Sequence, residues 1–503
     1  MAMSRILSRA GTVMRKLILT LISVAALAAL TGCGGSNSPH TSVPPSPSSG
    51  NNAGFSNASL NGTYVLSVNG YNSYSNYAYA VGGLVTADGN GNITAGVRDT
   101  VNDTGGQSLD ESITGTYSVN QDGRGQMVLN GGSGQVIYRF VLQSGSTASL
   151  FQISATSDAV GKLEQQPQVV PQIVTAGNPT FIVTLNGEDA SSSHYPYAAV
   201  GALTFNSGGS ITGTTDENDA GTVGTQLSVS NGTYSIGSTG RGTASYTTAT
   251  GTHNFIVYQV SSSRLEMISV DKNNFLYGGA SLQLADVGDS STFIGDQAFM
   301  LSGTDDNGYP IVEAGRLTLD GAGNINSGVE DANDNGTVTS ALSFGGNYTL
   351  SSNGRWTSTQ GTVSNGLIGW QVSPTESVLL TNNSAILQTG TMRAQTTGLT
   401  NASITGNYAQ DLSGYYVNAG DVEITGNYLA DGNGNLTGTY DSQTPSGDYT
   451  DNSGTGTYSV QSNGRSPASI GGVSLVMYVI DANTMYTVSS DPVRVYSGDL
   501  VHQ

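Results

Sequence analysis

The stretch GTYSVNQDGR, residues 115–124, recurs three more times and decides the fold. The further copies are GTYSIGSTGR at 232–241, GNYTLSSNGR at 346–355 and GTYSVQSNGR at 456–465. In each copy a Gly-x-Tyr triplet precedes a Gly-Arg pair, and the arginine follows the tyrosine by seven residues. A strand that ends in a glycine turn is typical of a β-hairpin. Copies at such long intervals predict four related units.

A second marker lies upstream of the first in every copy. It begins at Gly83, Gly201, Gly315 and Gly426, and successive glycines are 118, 114 and 111 residues apart. A unit of that length is a small domain rather than one turn of a solenoid. The units close on Gln166, Gln283, Gln395 and Gln503. The predicted β repeats are 57–167, 177–284, 293–396 and 401–503, and because the fourth ends with the sequence we expect no further domain.

The composition favours an all-β fold. Charged residues make up only 10% of a chain that holds 69 glycines and 25 tyrosines, a mixture that suits short strands and tight turns. The first repeat has about eight strand candidates joined by short links such as residues 88–91. Such links favour an up-and-down meander, which can close into a small antiparallel barrel. A two-sheet β-sandwich is the alternative.

The copies differ in length at one point. Six residues lead from Ile93 to Asp99 in the first copy and from Ile325 to Asp331 in the third, but the second and fourth copies use five. One extra residue would exchange the inward and outward faces of a strand. We therefore predict a bulge at the glycine that comes shortly before the aspartate. These glycines are Gly96, Gly213, Gly328 and Gly438.

The N-terminus has the layout of an export signal. Four basic residues within the first 16 precede an apolar run, residues 17–30, that is too short to span a bilayer comfortably. The run ends in Leu30-Thr31-Gly32-Cys33, which resembles the lipobox of bacterial lipoproteins. The resemblance implies that residues 1–32 are a signal peptide and that Cys33, the only cysteine, carries a lipid. Gly34, in place of an aspartate, implies the outer membrane of a Gram-negative cell.

The region after the signal begins with a tether and continues with the repeats. Residues 33–56 are rich in Gly, Ser and Pro and predict a flexible linker. The repeat signatures Leu-Thr-x-Asp-Gly-x-Gly-Asn-Ile and Gly-x-Tyr…Gly-Arg-Gly resemble those of β-rich tandem-repeat lipoproteins of Gram-negative bacteria. The resemblance covers most of the chain beyond the signal, and it implies no particular activity.

The charge restricts the partners. Removal of residues 1–32 leaves 12 basic and 36 acidic side chains, a net charge of about −24. So acidic a surface repels phosphate backbones and anionic headgroups, which argues against nucleic acid as a partner and makes the lipid anchor the membrane contact. With its one cysteine assigned to the lipid, the chain has no disulfide.

Acidic side chains cluster one strand after the second marker in three copies. Clustered carboxylates repel one another, so they either lie solvated on a loop or share a cation. Weak calcium binding is the only cofactor hypothesis, and a solvated loop is the alternative. The candidate ligands are Asp99, Asp103, Asp216, Asp219, Asp331 and Asp334.

Tyrosines concentrate between the first two strands of each copy. Exposed on loops, they offer rigid contact surfaces with a hydroxyl, as binding loops and sugar platforms do. The alternative is that alternate tyrosines fill the inner face of the second strand. The candidates are Tyr71, Tyr74, Tyr77, Tyr195, Tyr197, Tyr309, Tyr415 and Tyr416.

The Gly-x-Tyr and Gly-Arg residues are predicted to be structural. Each arginine can pair with a nearby aspartate or lay its stem across the tyrosine of the same hairpin. The alternative is that four guanidinium groups receive a carboxylate or phosphate at four equivalent openings. These residues are Tyr117, Arg124, Tyr234, Arg241, Tyr348, Arg355, Tyr458 and Arg465.

The sequence gives no sign of catalysis. Its four histidines recur in no two copies, and it contains neither a Gly-x-Ser-x-Gly elbow nor a His-Glu-x-x-His motif. We therefore expect a non-enzymatic surface or periplasmic protein that binds or adheres to glycan or protein through tyrosine-bearing loops. The alternatives are a carrier of small apolar ligands in its barrels and a structural envelope spacer.

Overall fold

The computed structural model describes residues 54–173, 177–189, 194–271, 274–305, 307–359 and 366–503. The predicted signal peptide, Cys33 and most of the predicted tether lie outside the described residues. In the part of the chain that is described, no helix has the length and apolar character needed to cross a membrane.

The first repeat is a closed antiparallel barrel. Its fourth strand position is divided at Ile113 into β4 and β5, which both pair with β3, and β9 returns to pair with β1. The strands are β1 (Asn61–Asn72), β2 (Tyr77–Asp88), β3 (Asn92–Asn102), β4 (Gln107–Ser112), β5 (Thr114–Val119), β6 (Arg124–Gly131), β7 (Gly134–Leu142), β8 (Thr147–Ile153) and β9 (Ser157–Gln165).

The other three repeats are closed eight-stranded barrels. The second comprises β10 (Thr180–Asp189), β11 (Pro196–Phe205), β12 (Ser210–Asp219), β13 (Thr222–Ile236), β14 (Arg241–Thr248), β15 (Gly251–Ser261), β16 (Arg264–Ser269) and β17 (Asn274–Leu282). The third comprises β18 (Gly295–Asp305), β19 (Pro310–Leu319), β20 (Asn324–Asp334), β21 (Thr337–Leu350), β22 (Arg355–Ser358), β23 (Leu367–Ser373), β24 (Glu376–Thr381) and β25 (Ile386–Ala394). The fourth comprises β26 (Thr405–Tyr416), β27 (Gly420–Asp431), β28 (Asn435–Thr444), β29 (Gly447–Tyr458), β30 (Arg465–Ile470), β31 (Val473–Val479), β32 (Thr484–Ser489) and β33 (Arg494–His502).

This architecture confirms the predicted all-β fold of four up-and-down barrels. Consecutive strands pair through short turns, so no long return of the Greek-key kind is needed. The bulge prediction was wrong in position. The extra residue of the first and third copies is Thr94 and Asn326, where the register between second and third strands skips one position. Both lie beside the hairpin turn, where an inserted residue disrupts the fewest ladder hydrogen bonds.

The repeated tyrosine of the Gly-x-Tyr triplet closes the base of every barrel. Its ring packs with the core, and its hydroxyl donates to a backbone carbonyl across the barrel end. In the first and fourth barrels that carbonyl follows a single turn of 3-10 helix, Asn57–Ser59 and Asn401–Ser403. The four bonds are Tyr117 to Leu60 at 2.7 Å, Tyr234 to Asn206 at 2.9 Å, Tyr348 to Phe293 at 3.3 Å and Tyr458 to Ile404 at 2.9 Å.

The four barrels form a closed ring. In each of four seams, the second strand of one barrel lies against the sixth and seventh strands of the next, and the fourth barrel packs in this way against the first. We number the seams first (barrels 1 and 2), second (2 and 3), third (3 and 4) and fourth (4 and 1). Apolar clusters fill the first three, around Tyr258, Trp370 and Tyr478 respectively. Burial of these large side chains is the main attraction between consecutive barrels.

Candidate functional site

The arginine of each Gly-Arg turn crosses a seam to an aspartate of the preceding barrel. The arginine is the first residue of the strand at the fifth position of its barrel, and its side chain points out of the barrel. In the neighbouring barrel, β3, β12, β20 or β28 carries the buried aspartate that it meets. Such paired N–H···O contacts between charged groups are short and directional. The pairs are Arg241–Asp99 at 2.7 Å, Arg355–Asp216 at 2.7 Å, Arg465–Asp331 at 2.6 Å and, closing the ring, Arg124–Asp441 at 2.9 Å.

These contacts overturn the calcium hypothesis for three of its six residues. Asp99, Asp216 and Asp331 are at most 2% exposed, and both oxygens of each accept hydrogen bonds from an arginine of the next barrel. An arginine guanidinium group, rather than a metal ion, neutralises each one. Asp103, Asp219 and Asp334 are half-buried on the same strands or their turns.

The preceding barrel holds each aspartate in place. A backbone N–H ten or eleven residues further along donates to its Oδ1 atom at 2.7 to 3.1 Å. The donor residue has a positive φ in all four repeats, which turns its N–H toward the carboxylate. The four donors are Asp110, Gln226, Ala341 and Asp451, with φ of 57°, 50°, 49° and 55°.

An aromatic donor completes the first three seams. Tyr258, Trp370 and Tyr478 each pair directly opposite the seam arginine and donate to the same aspartate. Burial alone would raise the pKa of Asp331, but the hydrogen bonds from Arg465 and Tyr478 outweigh it, and the pKa is lowered. This carboxylate is therefore charged at neutral pH.

The glutamine that ends each repeat forms a second link. Its side-chain amide donates to backbone carbonyls of the Gly-Arg turn or of the sixth strand beside that turn in the next barrel, and Gln503 donates in the same way to the first barrel. The turn glycine has a positive φ of 80° to 88° in every copy. A Cβ would lie 2.7 Å from Gln503 Nε2 at Gly123 and 3.0 Å from Gln283 Nε2 at Gly354. The glycine is required by its dihedral angle and by this close approach.

The fourth seam has acids in place of the apolar cluster. Val141 stands where the other seams have an aromatic donor, and Asp441 Oδ2 has no hydrogen-bond partner among the described residues. Burial raises the pKa of Asp441 despite Arg124. Burial also raises the pKa of Asp411 to about 6 and that of Glu423 well above its usual value. The seam joining the ends of the chain is thus the polar one.

The structure contradicts the tyrosine-loop prediction at one of its eight residues. Tyr197 is 1% exposed and packs in the core of the second barrel, so its assignment to a binding loop was wrong. Its place on the inner face of β11 explains this, because alternate residues of a barrel strand point inward. Of the rest, Tyr74 is 85% exposed. The other six predicted tyrosines are half-buried: Tyr71, Tyr77, Tyr195, Tyr309, Tyr415 and Tyr416.

The fourth barrel contains a cavity of about 350 Å³ at the end opposite its closed base. We call it the cup. Aliphatic side chains such as Leu412 and Ile424 form its floor and walls, in the size range of small-molecule sites. Its aromatic lining consists of Tyr416, Tyr428, Tyr440, Tyr449 and Tyr496.

Small side chains create the cup where the second barrel has large ones. Relative to the Gly-Arg and Gly markers, Val422, Ser442, Ile470 and Val473 occupy the positions of Tyr197, Glu217, Tyr246 and His253. In the second barrel those four side chains contact one another and fill the space. Comparison of the aligned copies could have revealed this difference from sequence.

Polar groups without partners face the cup. Gln410 is 1% exposed, and its Nε2 atom has no hydrogen-bond partner among the described residues. The Nδ2 atom of Asn452 also lacks a partner among them. A buried donor left unpaired costs about 1–3 kcal/mol. Arg494 lies 5.2 Å from the ring centre of Tyr416 and is held by Asp491 at 2.6 Å. The cup therefore offers aromatic faces, two free amide donors and one cation at its wall.

No protein-family model matches the chain, and no curated protein matches it either. Among solved structures, it is similar to transferrin-binding protein B of isotype 1 from serogroup B Neisseria meningitidis. The two are 10% identical over 70% of this chain and 83% of that one, with a TM-score of 0.21. A transferrin-binding protein B variant from Haemophilus parasuis Hp5 is 11% identical over 71% and 83%, with a TM-score of 0.18. Scores this low carry no inference about ligand or partner.

Proposed function

We propose that the protein is a non-enzymatic binding protein of the bacterial cell envelope whose ligand site is the cup of the fourth barrel. The observation that carries this is the buried, unpaired Gln410 amide in the wall of an open, tyrosine-lined cavity. An acceptor on a ligand would satisfy that donor and remove its desolvation cost. The ring of barrels would serve as the rigid scaffold.

The lining defines the class of ligand. Tyrosine faces bind ring-shaped molecules, and their hydroxyls add polar contacts at low conformational cost. The amide donors of Gln410 and Asn452 require acceptor oxygens on the same molecule. A sugar ring meets both requirements. Adhesion through tyrosine loops has less support, because only Tyr74 among the eight predicted tyrosines is largely exposed.

A binding screen with cup variants tests this proposal. Mature protein would be titrated with mono- and disaccharides by calorimetry and thermal shift. We expect Val422→Tyr, which places the residue of the second barrel in the cup, to abolish binding, while Val422→Ile retains it. Gln410→Leu should leave the free protein as stable or more stable, because it removes an unpaired donor, yet weaken binding about tenfold. Equal binding by Val422→Tyr, or no binding of any sugar, would refute the cup as a sugar site.

Anchoring at Cys33 belongs to the same proposal. Diacylation there, followed by a flexible tether, would hold four acidic barrels at the outer membrane against their own charge. Cells that express the protein would be labelled with a palmitate analogue and fractionated. We expect label in the wild-type protein and none in Cys33→Ser, which should leave the membrane fraction. Label on Cys33→Ser would refute the assignment.

A further inference from the structure

Three potential metal ligands from two different repeats meet at the rim of the first seam. Asp103 lies in the turn after β3, Glu188 near the end of β10, and His194 shortly before β11. His194 Nδ1 is 3.7 Å from Asp103 Oδ2 and 3.7 Å from Glu188 Oε2. One ligand atom from each residue lies within 4.8 Å of the other two. The histidine side chain is 39% exposed, so the group opens to solvent.

The carboxylate of Asp103 is not a solvated surface group. Its side chain is 5% exposed, and its Oδ1 atom has no hydrogen-bond partner among the described residues. Its Oδ2 atom accepts a hydrogen bond from the backbone N–H of Ala78 at 3.0 Å. A buried carboxylate oxygen without a donor is a polar group that a bound cation would satisfy.

Glu188 brings a second carboxylate to the same point from the next repeat. Its Oε2 atom lies as close to His194 Nδ1 as Asp103 Oδ2 does, at 3.7 Å. His194 also holds a left-handed backbone angle, φ 46°, which is uncommon for a residue other than glycine.

We propose that Asp103, Glu188 and His194 bind a divalent transition-metal cation of the Zn²⁺ type that joins the first repeat to the second. His194 Nδ1 lies 3.7 Å from one oxygen of each carboxylate, and all three ligand atoms lie within 4.8 Å of one another, a separation that a single ion of the zinc type can bridge. One imidazole with two carboxylates suits zinc, cobalt or nickel, whereas calcium takes six or more oxygen ligands. Water completes the coordination.

Among the described residues, the second and third repeats have no aspartate at the position of Asp103. The backbone N–H of Asp103 donates to the carbonyl of Ala78, and the equivalent bonds in the second and third repeats come from Ala220 and Asn335. Alanine offers no ligand, and the asparagine amide is a poor one for zinc. The metal would therefore be a specific addition rather than part of the repeat architecture.

Titration of the chelator-treated mature protein with Zn²⁺ tests the proposal. We expect one Zn²⁺ per chain and a rise in Tm. His194→Ala, at a half-exposed residue, should fold normally and bind at least about tenfold more weakly. His502→Ala, which removes an exposed histidine of the fourth repeat, is the matched control and should bind like wild type.

Cobalt supplies a readout that does not depend on stability. Co²⁺ in the site should give visible absorption bands that Zn²⁺ displaces and that His194→Ala lacks. Equal Zn²⁺ affinity in His194→Ala and wild type, or no stoichiometric uptake, would overturn the proposal. A rise in Tm with Ca²⁺ as large as that with Zn²⁺ would overturn the choice of metal. Sugar binding in the cup, about half the chain away in sequence, should be unaffected by any of these outcomes.

Discussion

Replacement of Arg124 by methionine tests whether ion pairing closes the ring. The side chain is fully buried and donates to three carboxylates, Asp122 at 2.8 Å, Asp441 at 2.9 Å and Asp451 at 3.0 Å. Arg124→Met retains the stem but removes the guanidinium group that pairs with two fully buried acids, Asp122 and Asp441. Removal of one partner from a buried ion pair costs about 3–5 kcal/mol. We expect a loss of that size in the free energy of unfolding at pH 7, measured by urea denaturation.

The pH dependence of the loss has a definite sign. Burial already raises the pKa of Asp441, and without Arg124 it rises further above the unfolded value. The folded variant then binds a proton that the unfolded chain releases, so its stability falls as pH rises through that interval and recovers as pH is lowered toward 5. The deficit of Arg124→Met should shrink accordingly in acid.

The structure also predicts which seam opens first in Arg124→Met. Chain connections and apolar clusters still hold the first three seams, so the fourth should open first. Small-angle scattering should show a larger radius of gyration for Arg124→Met before global unfolding, but not for Arg355→Met in the second seam. Arg393→Met removes a half-exposed pair with Glu376 and should cost under about 1 kcal/mol. If Arg124→Met matches Arg393→Met in stability and wild type in size, the ion pair does not close the ring.

Three further substitutions follow from the same structure. Asp411→Asn should stabilise the protein by about 2 kcal/mol at pH 7, because the pKa of this half-buried acid is raised to about 6 in the folded state. Ionisation of Asp411 lowers the Tm of the wild-type protein as pH rises from about 4 to 6, and the variant should lack this part of the decline. An unchanged pH profile would contradict this. Gly354→Ala should cost more than Gly308→Ala in denaturant, because both have φ near 80° but only the former approaches Gln283; equal costs would leave the dihedral angle as the whole effect. His253→Phe should stabilise the second barrel and remove its acid sensitivity below about pH 6.5, because burial lowers the pKa of an imidazole whose nitrogens have no partner among the described residues; a lower Tm would show that the ring has a polar partner.

The fold could be predicted from sequence because its determinants are local. Turn glycines, alternating strands and the fixed spacing of Tyr117 from Arg124 recur within each copy, and short links leave few topologies other than a meander. The ring could not be predicted. Arg124 and Asp441 are 317 residues apart, and nothing in either segment shows which copy its partner belongs to. Asp99 is therefore a calcium or solvated-loop candidate by sequence alone, although its partner in the structure is Arg241 of the next repeat.

The candidate site was missed for a different reason. A tyrosine on a short strand faces the core or the solvent according to register, and a shift of one residue exchanges the two. Tyr197 faces inward and Tyr416 lines a cavity, yet both belong to the same tyrosine-rich segment of their repeats. The informative signal was the loss of bulk at Val422 and Ser442 relative to the second copy.

The asymmetry of the seams suggests how such a ring remains closed. Every seam uses the same head-to-tail contact, in which the arginine of one barrel pairs with an aspartate of the barrel before it. Such a heterologous contact forms a closed ring only if the rotation between neighbouring barrels is a whole fraction of about 360°. Four copies satisfy that condition, so the fourth seam forms through the same arginine–aspartate contact as the others. The fourth seam is also an intramolecular contact, since the three preceding seams hold its two faces at high effective concentration. A weaker interface therefore suffices there, which explains how Val141 and buried acids are tolerated in the fourth seam. It follows that destabilising changes of equal size should open this seam before any other.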